Sequence, residues 1–595
     1  MLNNKIDIIS SELVIFKLLK FQHQMKKRLH ILLFIFLIAG VSSNAQPLSG
    51  SYTINSAMST GGTNFQSITD FSSSLNLNGI SASVIATITP GSGPYVEQVV
   101  FNNIAGTSTS NTITLDGSGE TVTALTDSSK RYIIRLQDMQ FMTINNINIL
   151  RDTAALSGFL GIHIYNTGNN ITISNCNVTI PGTTSTLTGG FIASGSQTAI
   201  LGTGDFHNIT FSGNTCIGGG YGVSVFGLLS NLASGIVITR NTFYDFHSNG
   251  IYLRETNGAE ISYNNFDKRT SNITTVNAIL IAQAANINSS IFGNDIRVSQ
   301  TSNGMQNFRG IYLFDGTGHK VYNNVIHDIH LISGNFTAIL VRTAGTAPEI
   351  SFNTISIDTQ ATSSGNLYGI EEELSNTNSI IRNNVISITQ LGANMAAFSL
   401  GNLSTLSTAF NSNYNDLYIP SGNVAIKRST TPTLYQTLSN WQTASGQDAT
   451  STDAIHGFVS STFPIPSSPA LDNTGITIPG IVDDILGNLR NIPPDMGAYE
   501  FFAQGIKFSV SNQKAMTIYP NPAKETISIK LPQGIFSRMA YKIYDELGKI
   551  AGYGIFQTGI DPTVANFSVY TLNTGVYYIL IRNNEREYST SFVKE

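Results

Sequence analysis

The stretch Gly250-Ile-Tyr-Leu-Arg-Glu-Thr-Asn-Gly-Ala-Glu-Ile-Ser-Tyr-Asn-Asn-Phe266 holds two short phrases, and both recur along the chain. The first is a small residue with apolar residues one and three places after it. It begins again at Gly161, Gly190, Gly222, Ala278, Gly310, Ala338, Gly369 and Ala397, so that neighbouring copies start 28–32 residues apart. The second places Asn three residues after one apolar position and two before another. It is centred on Asn241, Asn264, Asn324, Asn353 and Asn384. Asn214 and Asn294 hold the same place in their copies, whereas Cys176 and Ile147 replace it earlier.

A repeat of fixed length marks a stacked architecture. Apolar residues alternating with period two, between turn-prone Asn, Gly, Ser and Thr, predict short strands. One such unit cannot bury its apolar edge alone, but stacked units share a continuous core. Leucine-rich repeats need a Leu-rich consensus, which is absent, and propeller blades are longer, at roughly 40–50 residues. The chain therefore reads as all-β: a parallel β-helix solenoid whose Asn residues form a ladder, each amide bonding its neighbours one coil away. Nine coils at about 4.8 Å each give a rod on the order of 40 Å long.

Composition agrees. Only 12% of the 595 residues are charged, against 41% apolar and 53 Gly; ordinary soluble domains carry roughly 25% charge. A helical protein would write its outer faces in Glu, Lys and Arg, and apolar residues recur too often for disorder. A net charge of −5 leaves no basic footprint for nucleic acid. Two cysteines make neither a disulfide framework nor a zinc site. Cys176 and Cys216 fall two ladder positions out of register in adjacent coils, roughly 8 Å apart and beyond the usual ~7 Å limit, which predicts free, packed thiols.

Met25 opens a secretory signal: Lys26, Lys27 and Arg28, the apolar run Leu29–Ile38, then Ser43-Asn44-Ala45. Cleavage after Ala45 leaves Gln46 first. The run is short of the ~20 residues of a membrane span, and no second hydrophobic segment would hold the mature chain in a membrane. The expected division is signal peptide 1–45, N-terminal cap and first coils 46–130, β-helix repeats 131–440, a C-terminal cap segment 441–502, a linker 503–515, and a small antiparallel β-sandwich 516–595.

Strand alternation also places candidate site residues. With the first and third residues after the small one pointing inward, the second and fourth face outward. One outer sheet then collects Tyr252, Arg254, Tyr312, Phe314, Arg342, Glu371 and Glu373. Rings able to cover sugar faces, beside Arg and carboxylates, suit a polysaccharide. The plainer alternative is stacked aromatics with Arg342 paired to Glu373 one coil away, an exposed pair of little worth. Glu372 falls at an inward position, which implies a bulge or a carboxylate near the core. Farther on, Asp483, Asp484, Asp495 and Glu500 read as carboxylates bonded to backbone N–H groups in a terminal cap, which a solenoid needs. The alternative is a calcium site or a carboxylate pair; otherwise no cofactor is indicated.

The repeats of about residues 100–440 resemble secreted right-handed parallel β-helix proteins of the pectate-lyase-like group. That fold carries lyases, hydrolases, adhesins and stalks, so the resemblance implies architecture more than chemistry. Gly318-His319-Lys320 is a poor match to the Gly-His-Gly phrase of hydrolases with this fold. At the C-terminus, Ile518-Tyr519-Pro520-Asn521-Pro522-Ala523, Tyr544-Asp545-Glu546-Leu547-Gly548-Lys549, Leu572-Asn573-Thr574-Gly575-Val576-Tyr577-Tyr578 and Phe592-Val593-Lys594 follow in order. They resemble the sorting domain of the type IX secretion system of Bacteroidota. This implies passage through that machinery to the cell surface or medium, removal of the domain, and often attachment to surface lipopolysaccharide. The whole reads as an exported, adhesin-like β-helix protein that binds glycans or other surfaces. The alternatives are a polysaccharide lyase or glycoside hydrolase using Arg254, Arg342, Glu371 or Glu373, and a passive stalk.

Overall fold

A computed structural model describes Met25 and residues 46–595, apart from segments 156–157, 271–274, 284, 303–306, 343–347, 360, 374–377, 402–409, 459–463, 502–516, 531–538, 547–549, 557–563, 571 and 583–586. The signal segment, including Ala45, the proposed linker and Gly548 thus lie outside the described residues, whereas Gln46 lies within them.

Each coil has three faces. In one central coil these are Asn249–Arg254, Glu260–Ser262 and Asn265–Asp267. The next coil repeats them as Thr275–Ala282, Ser290–Phe292 and Asp295–Ser302. All pair in parallel with the coils on either side, and strands of the third face form a 12-stranded sheet among the described residues. The recurring phrase is in register throughout: Ile162 pairs with Phe191, then Val223, Ile251, Ile279, Ile311, Ile339, Ile370 and Phe398. These nine side chains are fully buried.

The small residue opening each phrase also points inward, so two consecutive residues face the core. A Cβ on Gly250 would lie 2.7 Å from the Phe266 ring of the third face and 2.6 Å from the Ala278 carbonyl. Only Gly or Ala leaves room for the two faces to meet there.

The Asn ladder forms at the corner between the second and third faces. Asn214, Asn241, Asn264, Asn294, Asn324, Asn353, Asn384 and Asn415 are all buried. Each of the first seven donates its amide to the next residue's Oδ1 at 2.9–3.0 Å. The residue before each rung takes a left-handed backbone, including Arg240, Tyr263, Phe352 and Tyr414 at φ 55–60°. Bulky residues there cost roughly 1–2 kcal/mol; the satisfied amide one residue later offsets this.

Both ends of the rod are closed. Helix Ile68–Asn78 is capped by Ser67, whose side chain accepts from Asp70 N, and packs Phe71 against Phe65 and Phe101. At the other end, helix Leu438–Ser445 buries Trp441 against Phe398. Trp441 Nε1 donates to Asp448, whose other oxygen receives the Asn415 amide, so the ladder ends on a carboxylate.

Of the 441–502 segment expected to cap the solenoid, only its beginning, at Trp441 and Asp448, sits at the end. Residues 468–501 run along the flank. Asn323 Nδ2 donates to Asp483 O, Ala498 N to Thr354 Oγ1, and Asn383 bonds Ile476 in both directions. Leu471, Ile485, Leu486, Met496 and Tyr499 pack with Val325 and Val385. Apolar side chains on the outer surface of the third face need a cover, and this strap supplies it, while the helix at Trp441 occupies the end.

Residues 517–595 form two antiparallel sheets. Thr517–Tyr519, Thr526–Lys530 and Val564–Ser568 make one, and Ile550–Phe556, Met539–Asp545, Gly575–Arg582 and Glu587–Lys594 the other. Ile527, Ile529, Ile543, Phe567, Ile579, Ile581 and Phe592 fill a shared core, the sandwich expected from the alternating pattern.

Candidate functional site

The outer surface of the first face is less open than strand alternation implies. In the column two residues after the small one, His163, Ile192, Ser224, Tyr252, Tyr312, Leu340 and Ser399 are buried. Side chains from coils about 4.8 Å apart cover one another. Toward the N-terminus, residues 197–200 also lie over them, accepting from Arg131 and Arg135 through the Thr198 and Gln197 carbonyls and packing Ile200 on Leu160 and Ile192.

The seven candidates fall into two groups. Tyr252 is 8% exposed and meets Tyr221 edge-on at 5.9 Å. Its neighbour Arg254 lies 4.4 Å over Phe226 and 3.3 Å from Glu255. Leu280 and Ala282 of the next coil separate this pair from the rest. Tyr312, 5% exposed, packs edge-on against Phe314. Arg342 covers Phe314 at 4.6 Å and pairs with Glu373 at 3.5 Å, as the plainer reading expects. The guanidinium groups of the protein itself thus occupy ring faces that a sugar would use. Glu372 is 1% exposed and aligns in register with Val341 and Leu400, so no bulge turns it outward.

Beside this group lies a polar groove of about 270 Å³, lined by Asn307, Arg309, Asn335, Thr337, Asn366, Tyr368, Glu371 and Arg428. Glu371 is the one carboxylate in its lining. Arg428 Nη1 meets Glu371 Oε1 at 2.6 Å, and Thr337 Oγ1 donates to Oε2 at 2.8 Å. Arg428 also donates to the Glu372 carbonyl at 2.8 Å. Arg309 is held 4.7 Å over the Tyr312 ring. Along one edge runs a second amide rail: Asn335 donates to Asn307, Asn394 to Asn366, and Asn366 N to Asn335 Oδ1. Burial raises the Tyr368 hydroxyl above its ordinary range, so it stays protonated.

Sequence reasoning found Glu371 but missed Arg309, Thr337, Tyr368 and Arg428. Arg309 and Tyr368 immediately precede the small residue of their phrases, a position that faces outward because the small residue itself turns in. Arg428 comes from the last strand pairing of the rod, 57 residues from Glu371, and no local spacing signals it.

The carboxylates of the strap are engaged. Asp484 accepts from Leu486 N, Asn488 N and Glu500 N, and Asp495 from Asn473 N and Phe501 N. Glu500 accepts from Asn491 N and pairs with Arg490, whose guanidinium lies 3.8 Å over Phe352. These bonds lie mainly within the strap rather than to a last coil. Among the described residues no group of three or more His, Cys, Asp or Glu is placed to hold a metal. Cys176 and Cys216 are free and buried.

The C-terminal sandwich puts the sorting-motif residues on one unit. Asn521 Oδ1 accepts from Val593 N at 2.9 Å, Ala523 bridges Lys594, and Gly575 pairs with Lys594. Tyr519 ends the strand Thr517–Tyr519, and Pro520 and Pro522 lie in the bend that follows it. Residues 517–595 match the family described as the secretion system C-terminal sorting domain. The chain ends in a sorting domain. That domain directs secretion to the cell surface or extracellular space. No helix among the described residues is long and apolar enough to cross a membrane.

Comparison with curated protein sequences finds no match. Among solved structures, a GH136 lacto-N-biosidase from Eubacterium ramulus aligns with TM-score 0.32 and 12% identity, over 54% of this chain and 64% of that one. The chain thus spans less than two thirds of that enzyme. PfbA, a surface adhesin of Streptococcus pneumoniae, aligns with TM-score 0.31 and 12% identity, over 59% of this chain and 86% of that one.

Proposed function

We propose that the exported β-helix is an adhesin-like protein that binds extracellular polysaccharide in the groove around Glu371, with Tyr312, Phe314, Arg342 and Glu373 as its rim. The carrying observation is that groove itself: amide, hydroxyl, guanidinium and ring groups converge there, in a chain with only 12% charge. Polar groups placed to bond hydroxyls, beside rings, are what a sugar-binding surface needs. The hydrolase or lyase alternative is less well supported. An acid–base catalyst needs a carboxylate free to exchange a proton with substrate, and both Glu371 oxygens are bonded, while Glu373 pairs with Arg342. Attachment to surface lipopolysaccharide after removal of the sorting domain belongs to the same proposal.

A glycan array probed with the full chain tests this reading, with reducing-sugar and unsaturated-product assays on each bound glycan. Binding without turnover, weakened by Arg428→Ala, is expected. Turnover would overturn the binding-only reading, and a blank array would leave the passive stalk.

A further inference from the structure

The bonds and charges that line the groove bear on which glycans it takes, given that it binds glycans. Its one carboxylate is already satisfied on both oxygens, by Arg428 and Thr337. In the amide rail, the oxygens of Asn307, Asn335 and Asn366 each accept from the next coil. The Tyr368 hydroxyl is hydrogen-bonded to Ser399, so the unpaired charge of the groove lies with Arg309. Arg309 has no carboxylate partner among the described residues, and its guanidinium is fixed against Tyr312 rather than left free. Counting the lining charges, Arg428 and Glu371 cancel and Arg309 remains.

A pocket whose one carboxylate is already paired with Arg428, and which keeps a second, uncompensated cation, is complementary to an anion. We infer that this groove selects glycans bearing an acidic group, carboxylate or sulfate, and that Arg309 reads the acid while the amide rail aligns the neighbouring sugar. Arg309 is then the specificity-determining residue. Its planar fork can grip either acid through two parallel N–H bonds, which a lysine cannot reproduce.

The experiment compares the full chain with Arg309→Gln and Arg309→Lys on dextran, dextran sulfate, alginate and a panel of other neutral glycans, at low and high salt. Gln keeps a polar stem against Tyr312 while removing the charge, and equal unfolding midpoints verify that each variant folds. The expected result is preference for at least one acidic polymer over neutral ones, weakened by salt. Arg309→Gln should lower that affinity about tenfold or more, and Arg309→Lys should restore only part of it. Alginate binding without dextran sulfate binding identifies a carboxylate, and the reverse a sulfate. Equal or better binding of neutral glycans, or indifference to Arg309→Gln, overturns the inference while glycan binding stands. A chain that binds nothing in the panel removes both.

Discussion

Replacing Asn324 by Ala should be among the costliest single changes in the rod, although it deletes only a small amide. Asn324 Oδ1 accepts from Asn294 N at 3.1 Å and from Asn294 Nδ2 at 2.9 Å, and its own Nδ2 donates to Ile291 O and Asn353 Oδ1. The substitution leaves the Asn294 backbone N–H without its acceptor and removes the amide from the Ile291 carbonyl, in a site water does not reach. Each buried group orphaned in this way costs about 1–3 kcal/mol, so about 2–6 kcal/mol is expected for the two. Asn335→Ala is the control. It also breaks two bonds of an amide rail, but on the exposed side, where water replaces them, and it should cost below about 1 kcal/mol. Urea unfolding of the full chain, with hydrogen exchange at residues 291–298 and 321–327, measures both. If Asn324→Ala is no more destabilising than Asn335→Ala, the ladder is ornament rather than support.

Two other expectations follow from burial. Burial, with Glu500 nearby, raises the Asp495 carboxyl from an ordinary 3.8 to about 7. Between those values the folded protein holds a proton that the unfolded chain has released, so strap docking is strongest in acid and weakens as pH rises through about 7. Hydrogen exchange across residues 468–501, corrected for intrinsic rates, should be slower near pH 5 than near pH 8, and Asp495→Asn should flatten the difference; the opposite slope would refute it. Burial also pushes the Cys176 and Cys216 thiols up to about 12. Neither should be alkylated in the native protein at about pH 8, and both should react once it is unfolded. Rapid native labelling, or a disulfide seen by mass spectrometry, would contradict this.

The repeat was legible because period-two alternation and the Asn phrase are local. Ile251 and its eight counterparts pair as the spacing requires, and the amides stack as expected. Less legible was the role of the small residue, which looks like punctuation in sequence. In space Gly250 is the point where two faces touch, and its inward turn puts Arg309 and Tyr368 on the outside. Tyr252 and Tyr312 do alternate outward, but sequence periodicity does not say what lies beside them. Tyr221 of the preceding coil packs edge-on against Tyr252, and Arg309 lies over Tyr312. The roles of Arg428 and of the strap as a flank cover were invisible for one reason: each rests on contacts between residues far apart in the chain, outside any repeat.

The strap also changes where the rod can be gripped. A bare solenoid frays from its terminal coil, each turn held only by its neighbour. Here the chain leaves the solenoid at Phe501, packed on the flank with Val325 and Val385 rather than at the tip. A pull on the polypeptide beyond that point therefore loads several coils at once and slides the strap lengthwise, in shear, instead of peeling one turn after another. Tension applied through the C-terminus is then shared among several of the last coils of the rod instead of falling on its final turn.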